Sequence, residues 1–236
     1  MSAETVKKIQ QELRRYGDKI IAEHSQRYFK TGKGEYAEGD KFLGLRVPVL
    51  RKMVKKHRGI AIDDCVKLLS SEFHEERLFA LLSLVELYKR SDEAVRERIF
   101  KLYLKNTRHI NNWDLIDLSS PNIIGSYLHD RDRKILYDLA KSKSLWKRRI
   151  AVMATFYFIR ENDFDDSLKI AELLLQDKED LIHKAAGWML REIWKRDQKA
   201  TEKFLKAHMR IMPRTMLRYA IEKMPEDRRI KYLKMS

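Results

Sequence analysis

A chain of 236 residues with 44% hydrophobic side chains is long enough to bury a sizeable core in one domain or one repeat array, and too apolar for a disordered segment. Its 50 lysines and arginines against 35 aspartates and glutamates give a formal charge of +15, and with a pI near 9.7 this points to a polyanionic partner, either nucleic acid or an anionic membrane surface. The single cysteine, Cys65, excludes an intrachain disulfide and a multi-cysteine zinc site; it fits a reducing cytoplasm and is expected to be a small buried residue.

In chain order, MSAETVKKIQQELRR (1–15) is too charged for a secretory apolar core, and no apolar run of about 18 residues that could span a bilayer occurs anywhere. A soluble, cytoplasmic protein is expected. TGKGEYAEGD (31–40) contains glycines but follows a helix, not a strand, and reads as a flexible connection. FLGLRVP (42–48) ends with Pro48 at a helix start, where backbone N–H groups or Arg46 could meet a phosphate or a groove. FHEER (73–77) begins like a zinc-protease helix, but Leu78 stands where the second histidine ligand is needed, so that ligand set fails.

Apolar residues recur at three- and four-residue spacing through ERLFALLSLVELYKR (76–90), RRIAVMATFYFIREN (148–162) and DLIHKAAGWMLREIWKR (180–196), and each is expected to be a helix. AVRERIFKLYLKN and FDDSLKIAELLLQD are shorter helical stretches between them. With only four prolines and eight glycines and no strand or hairpin signal, the fold is expected to be all-α.

INNWDLIDLSSP (110–121) is the informative short stretch. Asn112 can cap a short helix opened by Trp113 and Asp114, and Ser120-Pro121 reads as the cap and first position of the next helix. Asp117 then falls in a closing turn, where the macrodipole disfavours a carboxylate by roughly 0.3–1 kcal/mol. Asp114, near the start, is in the favoured place and needs no functional explanation. Trp113 and Asp117 are four apart, so indole and carboxylate project from one helical face.

The strong helices resemble one another. Each carries a basic residue just before its apolar run, at Arg77, Arg149 and Lys184; the last interval is about 35 residues and the first about twice that, with its midpoint on Trp113. MPRTMLRYAIEKM follows one period on. Two-helix units of this period signal a HEAT- or TPR-type α-solenoid, and the TPR pattern is absent, so about six HEAT-like helical pairs in one domain spanning 1–236 are expected. Arg148, Arg149, Lys184, Arg191, Arg214 and Arg218 could then form a basic ridge along a concave face, spaced for a phosphate backbone. Trp146 and Trp194 read as core. Trp188, preceded by Gly187, has small neighbours that admit either a packed core or an approaching ligand.

INNWDLIDLS, WKRRIAVMATFYFIR, HKAAGWMLREIWKRD and MPRTMLRYAIEKMP, with FLGLRVPVLRKM upstream, resemble the AlkD-type DNA alkylation repair proteins, DNA glycosylases built from HEAT-like repeats, over roughly residues 20 to 234. The resemblance implies excision of cationic N3- and N7-alkylpurines from double-stranded DNA, without flipping the lesion into a deep pocket, by a monomer needing no metal or organic cofactor and associated with the nucleoid. It implies a catalytic set of Trp113, Asp117 and Trp188 with Arg149 as basic neighbour, and it places Tyr28 where an N-terminal aromatic meets DNA. The turn at Arg46 and Val47 differs from the polar residues of the family's best-known enzyme. Three readings separate from here: a glycosylase; a non-catalytic HEAT-repeat protein recognising bent, damaged or branched DNA; and a protein-binding solenoid, which the basic excess and the lack of an apolar groove stripe disfavour.

Overall fold

The computed structural model describes residues 2–235, with side chains from residue 4 onward. The regular elements are α1 (Ser2–Arg15), α2 (Lys19–Tyr28), α3 (Val47–Lys56), α4 (Ile62–Leu69), α5 (His74–Arg90), α6 (Glu93–Lys105), a 3-10 turn (Thr107–His109), α7 (Trp113–Ser120), a π-helical turn (Pro121–Gly125), α8 (Ser126–Leu128), α9 (Lys134–Ala140), α10 (Leu145–Arg160), α11 (Asp165–Leu173), α12 (Asp180–Trp194), α13 (Gln198–His208), α14 (Arg214–Ala220) and α15 (Glu226–Met235). The all-α expectation holds: among the described residues the extended pairing is limited to an isolated bridge between Lys41 and Phe73. Aspartates open several helices by accepting the third residue's N–H, as Asp18 does from Ile21, Asp92 from Val95 and Asp197 from Ala200, which satisfies donors that the helix itself cannot.

The chain divides into two compact units, Met1–Ser119 and Ser120–Ser236. In the first, α5 is central: α3, α4 and α6 pack on it, and α1 packs on α4. Its residues from His74 through Val85 are buried without interruption, which is why its sequence is apolar on every side instead of along one stripe. The charged residues of its first turn are buried with it and are therefore paired. Glu76, fully buried, accepts from Gln10, Arg14 and Ser71 at 2.7–2.8 Å.

In the second unit α12 packs on α10, α11, α13 and α14, and α10 also packs on α9 and the π-turn. The helices α10, α12 and α14 begin at Leu145, Asp180 and Arg214, the step of about 35 residues read from the sequence. One contact recurs at a spacing of its own, different from that step. A Cβ on Gly125 would lie 2.2 Å from the Ala154 carbonyl and 2.8 Å from Tyr157 Cβ, and a Cβ on Gly187 would lie 2.5 Å from the Met216 carbonyl and 2.6 Å from Tyr219 Cβ. The second triplet is the first moved along the chain by one constant interval. Gly187 therefore serves the close approach of α14.

Two local expectations are corrected. Ser120 is not a cap opening a new helix: its φ of −57° and ψ of −46° are helical, and the backbone continues through the π-turn into α8. Asp117 therefore lies inside a longer helical segment, away from the exposed carbonyls of a helix end, and the dipole penalty expected there does not arise. The 31–40 stretch is not a loose connection either, since Glu35 accepts from the Gly32 N–H and Glu38 from the Gly34 N–H at 2.8 and 2.9 Å, and Ala37 and Asp40 are buried. Cys65 is fully buried and Trp194 nearly so, as expected; Trp146 is only half-buried.

Candidate functional site

Trp113 and Asp117 lie one turn apart on α7, both half-buried, so the four-residue spacing does put indole and carboxylate on one face. Asn112 holds the helix start, its Oδ1 accepting the Trp113 N–H at 2.8 Å and its carbonyl the Ile116 N–H at 3.3 Å. The Trp113 ring stacks on Phe29 with centroids 5.1 Å apart and meets Tyr28 edge-on at 6.0 Å, while its side chain hydrogen-bonds the hydroxyl of Tyr36. Tyr28, at the end of α2, is 59% exposed and brings an aromatic face beside Trp113. Asp117 charges the space near the fully buried Tyr103 hydroxyl, whose pKa is raised first by burial and further by that carboxylate.

Beneath Trp113 lies a buried charged chain that the sequence did not reveal. His74 Nε2 is 2.8 Å from Asp114 Oδ2 and its Nδ1 is 3.2 Å from Asp40 Oδ2, while Arg77 donates to the other Asp40 oxygen at 2.5 Å. Burial opposes a charge on His74, but the two carboxylates outweigh it and raise its pKa to about 9. Burial likewise opposes the Asp40 charge, and His74 and Arg77 reverse that, holding the carboxyl below its usual range. Asp114 is thus no mere first-turn ornament of α7. It is 7% exposed and partners a buried histidine 40 residues away in sequence.

His74 and Asp114 form part of the lining of an open cleft of about 600 Å³, walled by Ile20, Phe29, Phe42 and Leu78 and with Arg46 among its residues. The turn before α3 carries a further correction. The N–H groups of Leu43, Gly44 and Leu45 all donate to the buried Glu75 carboxylate at 2.8–3.1 Å, so they are not available to a phosphate. Arg46 itself is exposed.

In the second unit Trp188 is half-buried on α12, tilted against Phe156 at 5.6 Å, and its Nε1 donates to Glu192 Oε1 at 3.2 Å. Burial works against the Glu192 charge, but Lys195, Trp188 and Arg196 hold its carboxyl below the usual range. Arg149 is 5% exposed, and its Nη1 donates to the Leu181 carbonyl at 2.6 Å. Arg148 is bound to Asp177 at 2.5 Å and to the carbonyls of Ser142 and Lys143, Lys184 pairs with Asp180 at 2.7 Å, and Arg191 with Glu222. Of the residues expected to form a basic ridge, these four are met by groups of the protein itself. The register repeat of Arg77 and Arg149 reflects buried pairing with carbonyls and acids at helix junctions, a need that recurs with the helices. Arg214 and Arg218 are exposed on α14, with Arg214 also donating to the Leu233 carbonyl at 3.1 Å.

Sequence reasoning missed Phe29, Tyr36, Asp40, His74, Asp114 and Glu192. A histidine opening an apolar helix was visible at His74, but its partners, on two other segments, were not.

This all-helical architecture is shared with a solved protein. A structure described as a predicted DNA alkylation repair enzyme from Enterococcus faecalis superposes with a TM-score of 0.68, covering 89% of this chain and 97% of that one at 15% sequence identity. No curated protein matches the chain. The family model of the DNA alkylation repair enzymes matches residues 9–224, nearly the whole sequence, and the chain belongs to that family. Its role is accordingly in the repair of alkylated DNA, with DNA as partner.

Proposed function

We propose that the protein is a DNA glycosylase that hydrolyses the N-glycosidic bond of cationic N3- and N7-alkylpurines in duplex DNA, without flipping the lesion out of the stack. The observation that carries the reading is Asp117 and Trp113 on one face of α7, in a chain of this family, with the indole held by Phe29, Tyr28 and Tyr36. An N3- or N7-alkylpurine already bears positive charge, so it departs as a neutral base without protonation, and no metal or cofactor is needed to activate it. As the bond lengthens, positive charge moves onto the deoxyribose. A fixed carboxylate opposes that charge and takes the proton of the water that attacks C1′, and an indole face adds cation–π attraction of about 0.5–2 kcal/mol.

Asp117 stabilises the oxocarbenium-like sugar and Trp113 packs against it. The resemblance adds Trp188, whose indole donates to Glu192, and Arg149 to the proposed residues. Tyr28, Arg46, Arg214 and Arg218 are exposed and contact the duplex. Arg148, Lys184 and Arg191 reach phosphates only by exchanging their present carboxylate partners. The packing step of α10, α12 and α14 supports HEAT-like repeats.

The test is single-turnover release of 7-methylguanine from methylated duplex DNA. Asp117→Asn is expected to slow release by roughly ten- to a thousandfold, the range for loss of one electrostatic contact at the reacting charge, while binding of undamaged duplex holds or rises. Uracil, a neutral leaving base, is not released. A folded Asp117→Asn protein that releases 7-methylguanine at the wild-type rate refutes the assignment, and a wild-type protein that binds duplex but releases nothing is a non-catalytic DNA-binding member of the family.

A further inference from the structure

We propose that His74, a buried imidazole hydrogen-bonded at both nitrogens, is the positioning residue for Trp113, fixing the first turn of α7 through Asp114 and the indole through Phe29. The effect on catalysis rests on the glycosylase reading; the effect on Trp113 does not.

Both ring nitrogens of His74 face carboxylate oxygens, Asp114 at 2.8 Å and Asp40 at 3.2 Å. Ionised carboxylates only accept, so both nitrogens carry hydrogen and the ring is an imidazolium. From it two routes lead to Trp113. Along the backbone, Asp114 uses its second oxygen to accept the Leu115 N–H at 2.9 Å, so the residue next to Trp113 is clamped at both oxygens. Through the rings, His74 stacks on Phe42 at 4.5 Å and lies against Phe29 at 5.1 Å, and Phe29 stacks on Trp113 at 5.1 Å. With 1% exposure His74 cannot touch DNA, so its influence passes through these neighbours.

The charged chain is a costly way to fill such a space. Apolar residues of similar volume usually give equal or greater stability than a buried ion pair. What they cannot supply is direction: Arg77, Asp40, His74 and Asp114 form a series of hydrogen bonds that ties the α7 start to α5. A stacking partner for a sugar or base must be held to a fraction of an ångström to act in a transition state, and α2, which contributes Tyr28 and leads into Phe29, has no buried residue of its own. The rigidity at Trp113 comes from the side beneath it.

The experiment compares wild type, His74→Gln, Trp113→Phe and the double variant. The fluorescence of Trp113, isolated by subtracting the matching Trp113→Phe protein, is quenched with acrylamide, and single-turnover release of 7-methylguanine and the Kd for undamaged duplex are measured on the same proteins. His74→Gln is expected to raise Trp113 quenching several-fold and slow release tenfold or more, with Kd unchanged within about twofold, and to add less than about twofold in the Trp113→Phe background, as coupled residues do. Wild-type quenching in His74→Gln, or equal slowing in both backgrounds, overturns the proposal. If wild type releases no base, the glycosylase reading fails and the quenching result alone decides. If His74→Gln loses its cooperative melt, Phe29→Leu, which leaves the charged chain intact, takes its place with the same expectations, and unchanged quenching there overturns the proposal.

Discussion

The charge on His74 makes stability depend on pH in a defined window. The groups facing it are Asp114 on α7 and Asp40 on the segment before α3, with Arg77 of α5 on the far oxygen of Asp40; His24 of α2, Arg46 before α3 and Glu75 of α5 line the adjoining cleft. Folding raises the His74 pKa from 6.5 to about 9. A raised folded value means that the native state holds the proton more tightly, so this stabilisation is fully present below about pH 6.5 and is lost as pH climbs through about 9. It amounts to about 3 kcal/mol in all, of which about 2 kcal/mol disappears between pH 6 and pH 8.5. Cys65, whose thiol is pushed by burial from 9.0 up to about 12, also costs stability at high pH, but only from about 9 upward, outside that interval. Urea unfolding followed by far-UV circular dichroism at pH 6 and pH 8.5, on wild type and His74→Gln, isolates the effect as a difference of differences. Wild type is expected to lose about 2 kcal/mol more than the variant across the interval. Equal losses in the two proteins, or a wild type that gains stability, would show that the ring is not a buried imidazolium.

Two further outcomes follow from the packing and from the exposed charge. Gly187→Ala removes a helix-weakening residue, yet its Cβ would lie 2.5 Å from the Met216 carbonyl; a net destabilisation of about 1–3 kcal/mol is expected from overpacking, read as a lowered melting temperature, and a rise would mean that α14 gives way easily. Reversing Arg214 and Arg218 together to glutamate is expected to weaken duplex binding and flatten its salt dependence, because phosphate contacts release counterions in proportion to their number; reversal of the exposed Lys7 and Lys8 pair is expected to do less, and equal losses would mean that only net charge matters.

The helices were legible because their signal is local. The apolar spacing in 76–90, 148–162 and 180–196 predicts α5, α10 and α12 to within a few residues at each end, and the repeat step follows from comparing those segments. The pairing of Trp113 with Asp117 was equally legible, since four residues along a helix is a fixed displacement. The end of α7 was not: Ser120-Pro121 has the composition of a cap and first turn, yet the backbone stays helical there, in a π-turn that packs against α10.

Side-chain partners were the other illegible part. Asp114 looked like an ordinary first-turn acid, and it is the far end of a buried ion chain. Glu75 gave no hint that it occupies the N–H groups of Leu43, Gly44 and Leu45, nor Arg148 and Arg191 that Asp177 and Glu222 meet them. The sequence by itself determined helix content, repeat step, net charge and the common face of Trp113 and Asp117, because each depends on neighbours within a turn or on simple counting. Which charges are free for DNA, and what holds Trp113 in place, the tertiary structure decided. Those outcomes depend on groups some 30 to 40 positions away in sequence, and burial makes such pairings obligatory without the local pattern naming them.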